Sequence, residues 1–450
     1  MPAKITNGQR TATLRLLAEG HDRETIASKL GLTVAQVSAV KAHVTMQKYR
    51  LPSIRTASAP LPDSRPCSTE PQKGQDSARL AIPLGKDLTN DTQVFWNLDP
   101  EKGVPNPHVL VLGESGYGKT YAILCIIAEL TRRRIPCLIF DYGQGFSRQS
   151  LTSQFVNAVA PLEIEASRDG IDINPLQVFG NDVHGPINVA QRIADTFARV
   201  YSRIGVQQHA TLRRAVLEVM SEYGISADEA GSWNRELPPF KELHRKLESY
   251  AQEDGTQARV ASLVGSHIST MFVFNTFRAS GRRLDWQQLL SSRNHMVTLQ
   301  LKGLEHSLER AVTEFLLWNF LAYIEALGPS SLRCFVILDE AHKLCFDVGS
   351  PVEKLLREGR KYGLGLILAS QQPEDFSAVA FANTATKLVF QITDEQYRVS
   401  RLLHRKVENG PVPARLAATL SKLPRGTAYV VTQNCGSIVR ISPLHERLNN

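Results

Sequence analysis

No apolar run in these 450 residues approaches the ~20 needed to span a bilayer, and the first residues lack the apolar core of a signal peptide. The expected location is therefore the cytoplasm. Cysteine is scarce. Cys67, Cys125, Cys137, Cys334, Cys345 and Cys435 form no C-x-x-C pair and have no histidine cluster beside them. That pattern argues against a zinc site or a disulfide framework, and most of these cysteines read as small buried hydrophobes suited to a reducing compartment. No internal repeat is visible, and residues 51–78 are the one biased tract. No nuclease constellation stands out, so any DNA cutting would need another protein.

What is present is an ordinary globular composition, 42% hydrophobic and 21% charged, long enough for two or three domains. The net charge of +8 favours an anionic partner without naming it. Its distribution says more. Residues 1–78 hold 11 Lys/Arg against 6 Asp/Glu, a surplus of five of the chain's eight. A basic module is expected ahead of a nearly neutral engine.

Residues 5–50 read as three short helices, the last two in a helix-turn-helix pattern between Arg23 and Ala42. Ala27 is small where two helices approach, and Gly31 stands where the turn needs positive φ. Ile26, Leu30, Leu32, Val34, Val37 and Val40 are expected to face inward, with Thr33 as N-cap. This segment resembles the DNA-binding tri-helix of LuxR-type regulators and sigma-factor region four. By that resemblance the third helix would offer Thr33, Gln36, Ser38 and Lys41 to a major groove, a set poor in base readers. A structural or protein-docking use of the same three helices is the other reading. Residues 51–78, with prolines 52, 60, 62, 66 and 71, are expected to form a flexible linker, because they cannot bury enough surface to offset ordering entropy.

From Arg79 the pattern is globular. Leu80 to Gly85 and Val94 to Trp96 suggest a hairpin. Strands are expected at 108–112, 136–140, 295–300, 334–338, 364–369, 387–392 and 427–432, with helices between them. The fold class is α/β, a mostly parallel sheet covered on both faces. An all-helical insertion is expected at about 187–280, where the strand signal disappears. The domain plan is 1–50, 51–78 and 79–450.

Gly113-Glu114-Ser115-Gly116-Tyr117-Gly118-Lys119-Thr120 fits G-x-x-x-x-G-K-[ST] and lies between a buried strand and a helix. Such a loop points backbone N–H groups and a helix N-terminus at phosphate oxygens. Lys119 would reach the β and γ phosphates, and the Thr120 hydroxyl would ligate Mg²⁺. Phe335 to Leu338 is an apolar strand ending in Asp339-Glu340. Asp339 would hold Mg²⁺ and Glu340 would activate the attacking water, although a solvated strand end also explains an acidic pair taken alone. Arg357, Arg360 and Lys361 follow at a helix end, where complementing the helix dipole is the alternative role. Gln371 closes the next strand and can sit near a γ-phosphate.

The order Asp339-Glu340-Ala341-His342, then Arg357 to Gly363 with Arg360 inside it, then Ser370-Gln371 and Pro373, is similar to the HerA/FtsK superfamily of hexameric DNA-pumping ATPases, which includes conjugative coupling proteins. Ile173 to Leu176, Ala382 to Thr384 and Leu423 to Tyr429 match as well. The stretch around Gly113 also looks like ATPases of restriction and phage-defence systems. The superfamily resemblance implies a RecA-like P-loop core, ATP and Mg²⁺ as cofactors, Gln371 as sensor, and Arg360 (or Arg357) as an arginine acting on a neighbouring subunit. Asp141, ending the strand after the phosphate-loop helix, would support the site from behind. The implied function is an ATP-hydrolysing hexameric DNA translocase or helicase-like motor. Its partners would be duplex DNA, further copies of itself and a separate nuclease or other effector. The alternative is a nucleotide-switched, DNA-binding transcriptional regulator.

Overall fold

The computed structural model describes residues 6–18, 23–45, 80–99, 105–278, 284–291, 295–407, 410–433 and 435–448. The expected linker at 51–78 and Cys67 lie outside these residues. The chain divides into two compact units, 1–65 and 66–450.

The first unit contains helices Asn7–Ala18, Arg23–Leu30 and Val34–Thr45. Ile26, Ala27 and Val37 form its small core, with Leu16, Leu30 and Leu32 packed against them. Gly31 takes φ 59°, the left-handed turn that a side chain disfavours. Thr33 caps the third helix reciprocally with Gln36. The Thr33 hydroxyl accepts from Gln36 N, and Gln36 Oε1 accepts from Thr33 N at 2.8 Å. Val34, expected inside, is 45% exposed as the first residue of its helix.

The second unit is built on an eleven-stranded sheet. Its strands are β1 Ala81–Asp87, β2 Gln93–Asn97, β3 Val109–Leu112, β4 Cys137–Asp141, β5 Leu162–Glu165, β6 Met296–Gln300, β7 Cys334–Leu338, β8 Leu364–Ser370, β9 Thr386–Val389, β10 Thr427–Thr432 and β11 Cys435–Ile441. The spatial order is β2-β1-β11-β10-β9-β3-β8-β7-β4-β6-β5. The seven strands from β9 to β5 are mutually parallel. β10, β11, β1 and β2 extend the sheet antiparallel at one end. The expected hairpin is the β1–β2 pair.

Burial on both faces explains the near-continuous apolar strands. On β3, Leu110 and Leu112 enter one core while Val109 and Val111 enter the other. Helix Lys119–Arg132 covers one face. Helices Pro186–Val200, Val206–Glu222, Lys241–Ala251, Thr256–Val273 and His306–Ala326 pack on the other. The helical segment shares the core of the sheet. Phe240 lies 5.2 to 6.5 Å, ring centre to ring centre, from Phe272, Phe277, Phe315 and Phe197. Phe315 belongs to helix His306–Ala326, so this aromatic cluster joins the inserted helices to the sheet's own covering helix. No helix among the described residues is long and apolar enough to cross a membrane.

Candidate nucleotide site

The carboxyl ends of the parallel strands are where open α/β sheets bind ligands, because the connections diverge there. Five expected or newly found groups collect at this edge. The phosphate loop leaves β3, Asp141 ends β4, Gln300 ends β6, Asp339-Glu340 follows β7 and Gln371 follows β8. The parallel register aligns them: Leu112 is opposite Ser370, and Asp141 is opposite Gln300.

The loop is braced on both sides. Gly113 has no room for a Cβ, which would meet Phe390 Cβ at 2.6 Å. Gly118 takes φ 113° immediately before the helix begins at Lys119. Glu114 N donates to Gln391 O, and Glu114 Oε1 accepts from Thr393 N at 2.7 Å. From the other side Gly426 N donates to Tyr117 O at 3.0 Å. These contacts correct the strand expected at 387–392. β9 closes at Val389, and Phe390, Gln391 and Thr393 beyond it hydrogen-bond to Leu112 and Glu114 at the phosphate loop.

Lys119 Nζ donates to Gly113 O at 2.7 Å and Glu114 O at 3.0 Å. Burial holds its pKa below the ordinary lysine value, opposed by the charges of Asp339, Glu340 and Glu114. Asp339 is pushed up to about 7 by burial first, then by the neighbouring Glu340 and by Asp141. Glu340 sits at φ 57°, an uncommon backbone conformation for a residue with a side chain, held at the strand end. Its Oε1 accepts from Gln371 Nε2 at 3.5 Å. Its Oε2 is 3.3 Å from His342 Nδ1 without hydrogen-bond geometry and is otherwise unpartnered.

Asp141 is fully buried and tied by three donors: Gly143 N at 2.9 Å, Phe146 N at 2.8 Å and Gln300 Nε2 at 2.6 Å. It therefore shapes the turn after β4, and Gly145 in that turn lies against the Thr120 methyl group. Gln300 was not among the expected site residues. A polar residue closing an apolar strand at the same edge is the signal that points to it.

Negative charge in excess of Lys119, a carboxyl driven toward protonation and an orphan carboxylate oxygen form a donor set that suits a divalent cation. Thr120 and Asp339 would hold Mg²⁺, with Lys119 and the loop amides of Gly113 to Thr120 around the phosphates of ATP.

Arg360 is elsewhere. It lies on the short 3₁₀ turn Gly359–Tyr362 that precedes β8, at the amino edge of the sheet. His108, just ahead of β3, lies beside this turn, and the Arg360 charge acts on it. The length of β8 separates Arg360 from the phosphate loop by about 20 Å. Arg360 is exposed, with no side-chain hydrogen bond or ion pair among the described residues, whereas Arg357 is paired with Glu353. Of the four candidate groove residues, Thr33 and Gln36 are committed to the capping box and Ser38 is half-buried. The side chain of Lys41 lies outside the described set.

The family model for the central domain of helicase HerA matches residues 82–320, more than half of the chain. This chain belongs to the HerA central-domain family. Within it, the chain is 20% identical over 386 residues to the DNA double-strand break repair helicase HerA of Sulfolobus acidocaldarius, covering 80% of this chain and 68% of that helicase. It is 22% identical over 309 residues to the DNA import protein CedB of the same organism, covering 66% of this chain and 45% of CedB. The chain thus spans less than half the length of CedB. Among solved structures, VirB4 of Thermoanaerobacter pseudethanolicus superposes with a TM-score of 0.66 at 19% identity, covering 82% of this chain and 97% of that one. The bacterial conjugative coupling protein TrwB gives 0.54 at 15% identity, covering 82% and 91%. These likenesses establish a RecA-like P-loop fold. The HerA family match ends at residue 320, so Asp339, Glu340, Arg360 and Gln371 lie beyond it.

Proposed function

We propose that this chain hydrolyses ATP as a subunit of a ring motor, six copies to the ring, that drives duplex DNA through its centre. The observation that carries this reading is a divided set of catalytic groups. Glu340 and Gln371 meet at the phosphate edge. Arg360 stands unpaired at the opposite edge, about 20 Å away, where it can serve only the site of another copy. Lys119 neutralises charge on the β and γ phosphates and Glu340 takes the proton of the attacking water. Gln371 orients Glu340 and that water, and Arg360 from the adjacent copy offsets charge in the transition state. Mg²⁺ bound at Thr120 and Asp339 would supply further neutralisation at the phosphates. The names of the relatives, a DNA repair helicase and a DNA import protein, support DNA as the substrate. The N-terminal helices would tether the ring to DNA or to a protein, raising local concentration without sequence selectivity. A separate nuclease or other effector would supply any cutting, in a DNA-processing, mobile-element or phage-defence setting.

The experiment is DNA-stimulated ATP turnover measured together with displacement of a third strand from a triplex. Turnover that ignores DNA, with no triplex displaced, overturns the motor reading and leaves the nucleotide-switched regulator.

A further inference from the structure

Away from the nucleotide edge, helices Ala378–Asn383 and Gln396–His404 and strand β9 enclose a cavity of about 270 Å³, open to solvent on one side. Four cationic residues line it: Lys387, Arg398, Arg405 and Lys406. Phe376 and Phe381 form its apolar wall, edge to face with ring centres 5.9 Å apart. No carboxylate lines it among the described residues. Arg398 is compensated by Glu374 at 2.8 Å, with Glu395 at 4.0 Å. Arg405 and Lys406 have no side-chain partner among the described residues.

Lys387 is the unusual member. It occupies a β9 position between Leu110 of β3 and Val431 of β10, and only 1% of it is exposed. Its ammonium donates to Thr384 O and has no carboxylate within ion-pair distance among the described residues. An ammonium has three donors, so two remain unserved. Burying such a group without a counter-charge is costly, and replacing it by an apolar side chain would ordinarily stabilise a fold. Burial and the charge of Lys406 together hold Lys387 down to about 8, the mark of a cation lacking its anion.

We propose that this cavity binds a phosphate monoester, with Lys387 at its wall and Arg405 and Lys406 at its mouth, as a site separate from the nucleotide site. Three cations without a counter-charge among the described residues match a dianion better than a carboxylate. The phenylalanine wall accepts the organic remainder. A cavity open on one side suits a terminal phosphate better than a diester whose chain continues on both sides. The same chemistry has two sources: a free phosphorylated small molecule, or the terminal phosphate of a DNA strand. The proposal is independent of the motor reading.

The test uses the full chain carrying Lys119→Ala, which weakens phosphate binding at the phosphate loop, and the substitutions at the cavity then report the remainder. Inorganic phosphate, compared with acetate at equal ionic strength, is expected to raise the unfolding midpoint by about 2 °C at a concentration about tenfold above its dissociation constant. Adding Lys387→Met, or the surface pair Arg405→Ala and Lys406→Ala, is expected to abolish that rise. A rise with acetate as large as with phosphate, no rise with either, or a rise that survives both sets of substitutions would overturn the proposal. The surface pair keeps the test valid if Lys387→Met does not fold. A local role for Lys387, holding the end of helix Ala378–Asn383, predicts no phosphate effect at all. The sources separate by fluorescence anisotropy. A 5′-phosphorylated oligonucleotide binding about tenfold tighter than its 5′-hydroxyl form, with the difference lost in Lys387→Met, identifies a strand end. Equal binding of the two, with the phosphate rise intact, identifies a free small molecule.

Discussion

Gln371 donates its side-chain amide to Glu340 Oε1 across 3.5 Å, joining the ends of adjacent strands β8 and β7. The contact holds the carboxylate proposed to activate water, and it brings an amide to the same point. Removing the amide should therefore slow chemistry without loosening nucleotide. Gln371→Ala is expected to lower kcat for ATP about 10²-fold, and Glu340→Gln about 10³-fold, with nucleotide affinity changed less than about threefold. Single-turnover hydrolysis alongside equilibrium binding of a fluorescent ATP analogue checks this. Loss of binding in step with loss of turnover would show that the pair holds the loop and not the water.

Arg360 and Lys119 belong to opposite edges of the same sheet. If Arg360 completes a neighbour's site, as proposed, two inactive variants should rescue one another. Arg360→Ala is expected to cut turnover about 10³-fold while nucleotide binding stays intact. Mixing it with Glu340→Gln should restore activity. At some interfaces of the mixed ring, an intact Glu340 then meets an intact Arg360. If the mixture is as dead as its parts across all ratios, Arg360 does not act between copies.

Much of the site was legible because its elements are local. An uninterrupted apolar run followed by a glycine-rich loop or an acidic pair specifies strand, turn and position together, as at Gly113 to Thr120 and at Asp339-Glu340. What stayed hidden depends on strand order. Asp141 and Gln300 are 159 residues apart and meet only because β4 lies beside β6. Glu114 and Thr393 meet only because β9 lies beside β3. β5 and β11 escaped firm assignment because they are only partly buried and their apolar pattern is weak. Thr33 and Gln36 show a local role that the sequence also carried. Thr-x-x-Gln is itself a capping signature, and the two side chains cap the third helix reciprocally.

The carboxylate of Asp141 satisfies Gly143 N, Phe146 N and Gln300 Nε2 in a dry interior. Asp141→Ala leaves those donors unserved and is expected to cost about 3 kcal/mol or more, while Gln300→Leu is expected to cost about 1–3 kcal/mol. Because the turn they hold lies against Thr120, Asp141→Ala should also weaken Mg²⁺-dependent nucleotide binding more than Mg²⁺-independent binding. Chemical denaturation and binding with and without EDTA test both points. A stable Asp141→Ala protein with unchanged Mg²⁺ dependence would remove Asp141 from the support of the site.

His108 gives a prediction in pH. It is buried at the amino edge, its Nδ1 accepts from Leu366 N at 3.1 Å, and its Nε2 has no partner. Burial first, and the nearby Arg360 charge second, hold it down to about 4 from an ordinary 6.5. Between those values the unfolded chain takes up a proton that the folded chain refuses, so stability must fall as pH falls through this window. The loss amounts to about 3 kcal/mol at most by pH 4. Carboxylates titrate in the same range, so the measurement is a difference: urea unfolding of wild type and His108→Gln at pH 7, 5.5 and 4.5. Glutamine can accept from Leu366 N but does not titrate. The gap between the two proteins is expected to move in favour of the variant as pH falls. A gap that stays constant would mean that His108 is protonated in the fold, which its unpaired neighbour Arg360 makes electrostatically unfavourable.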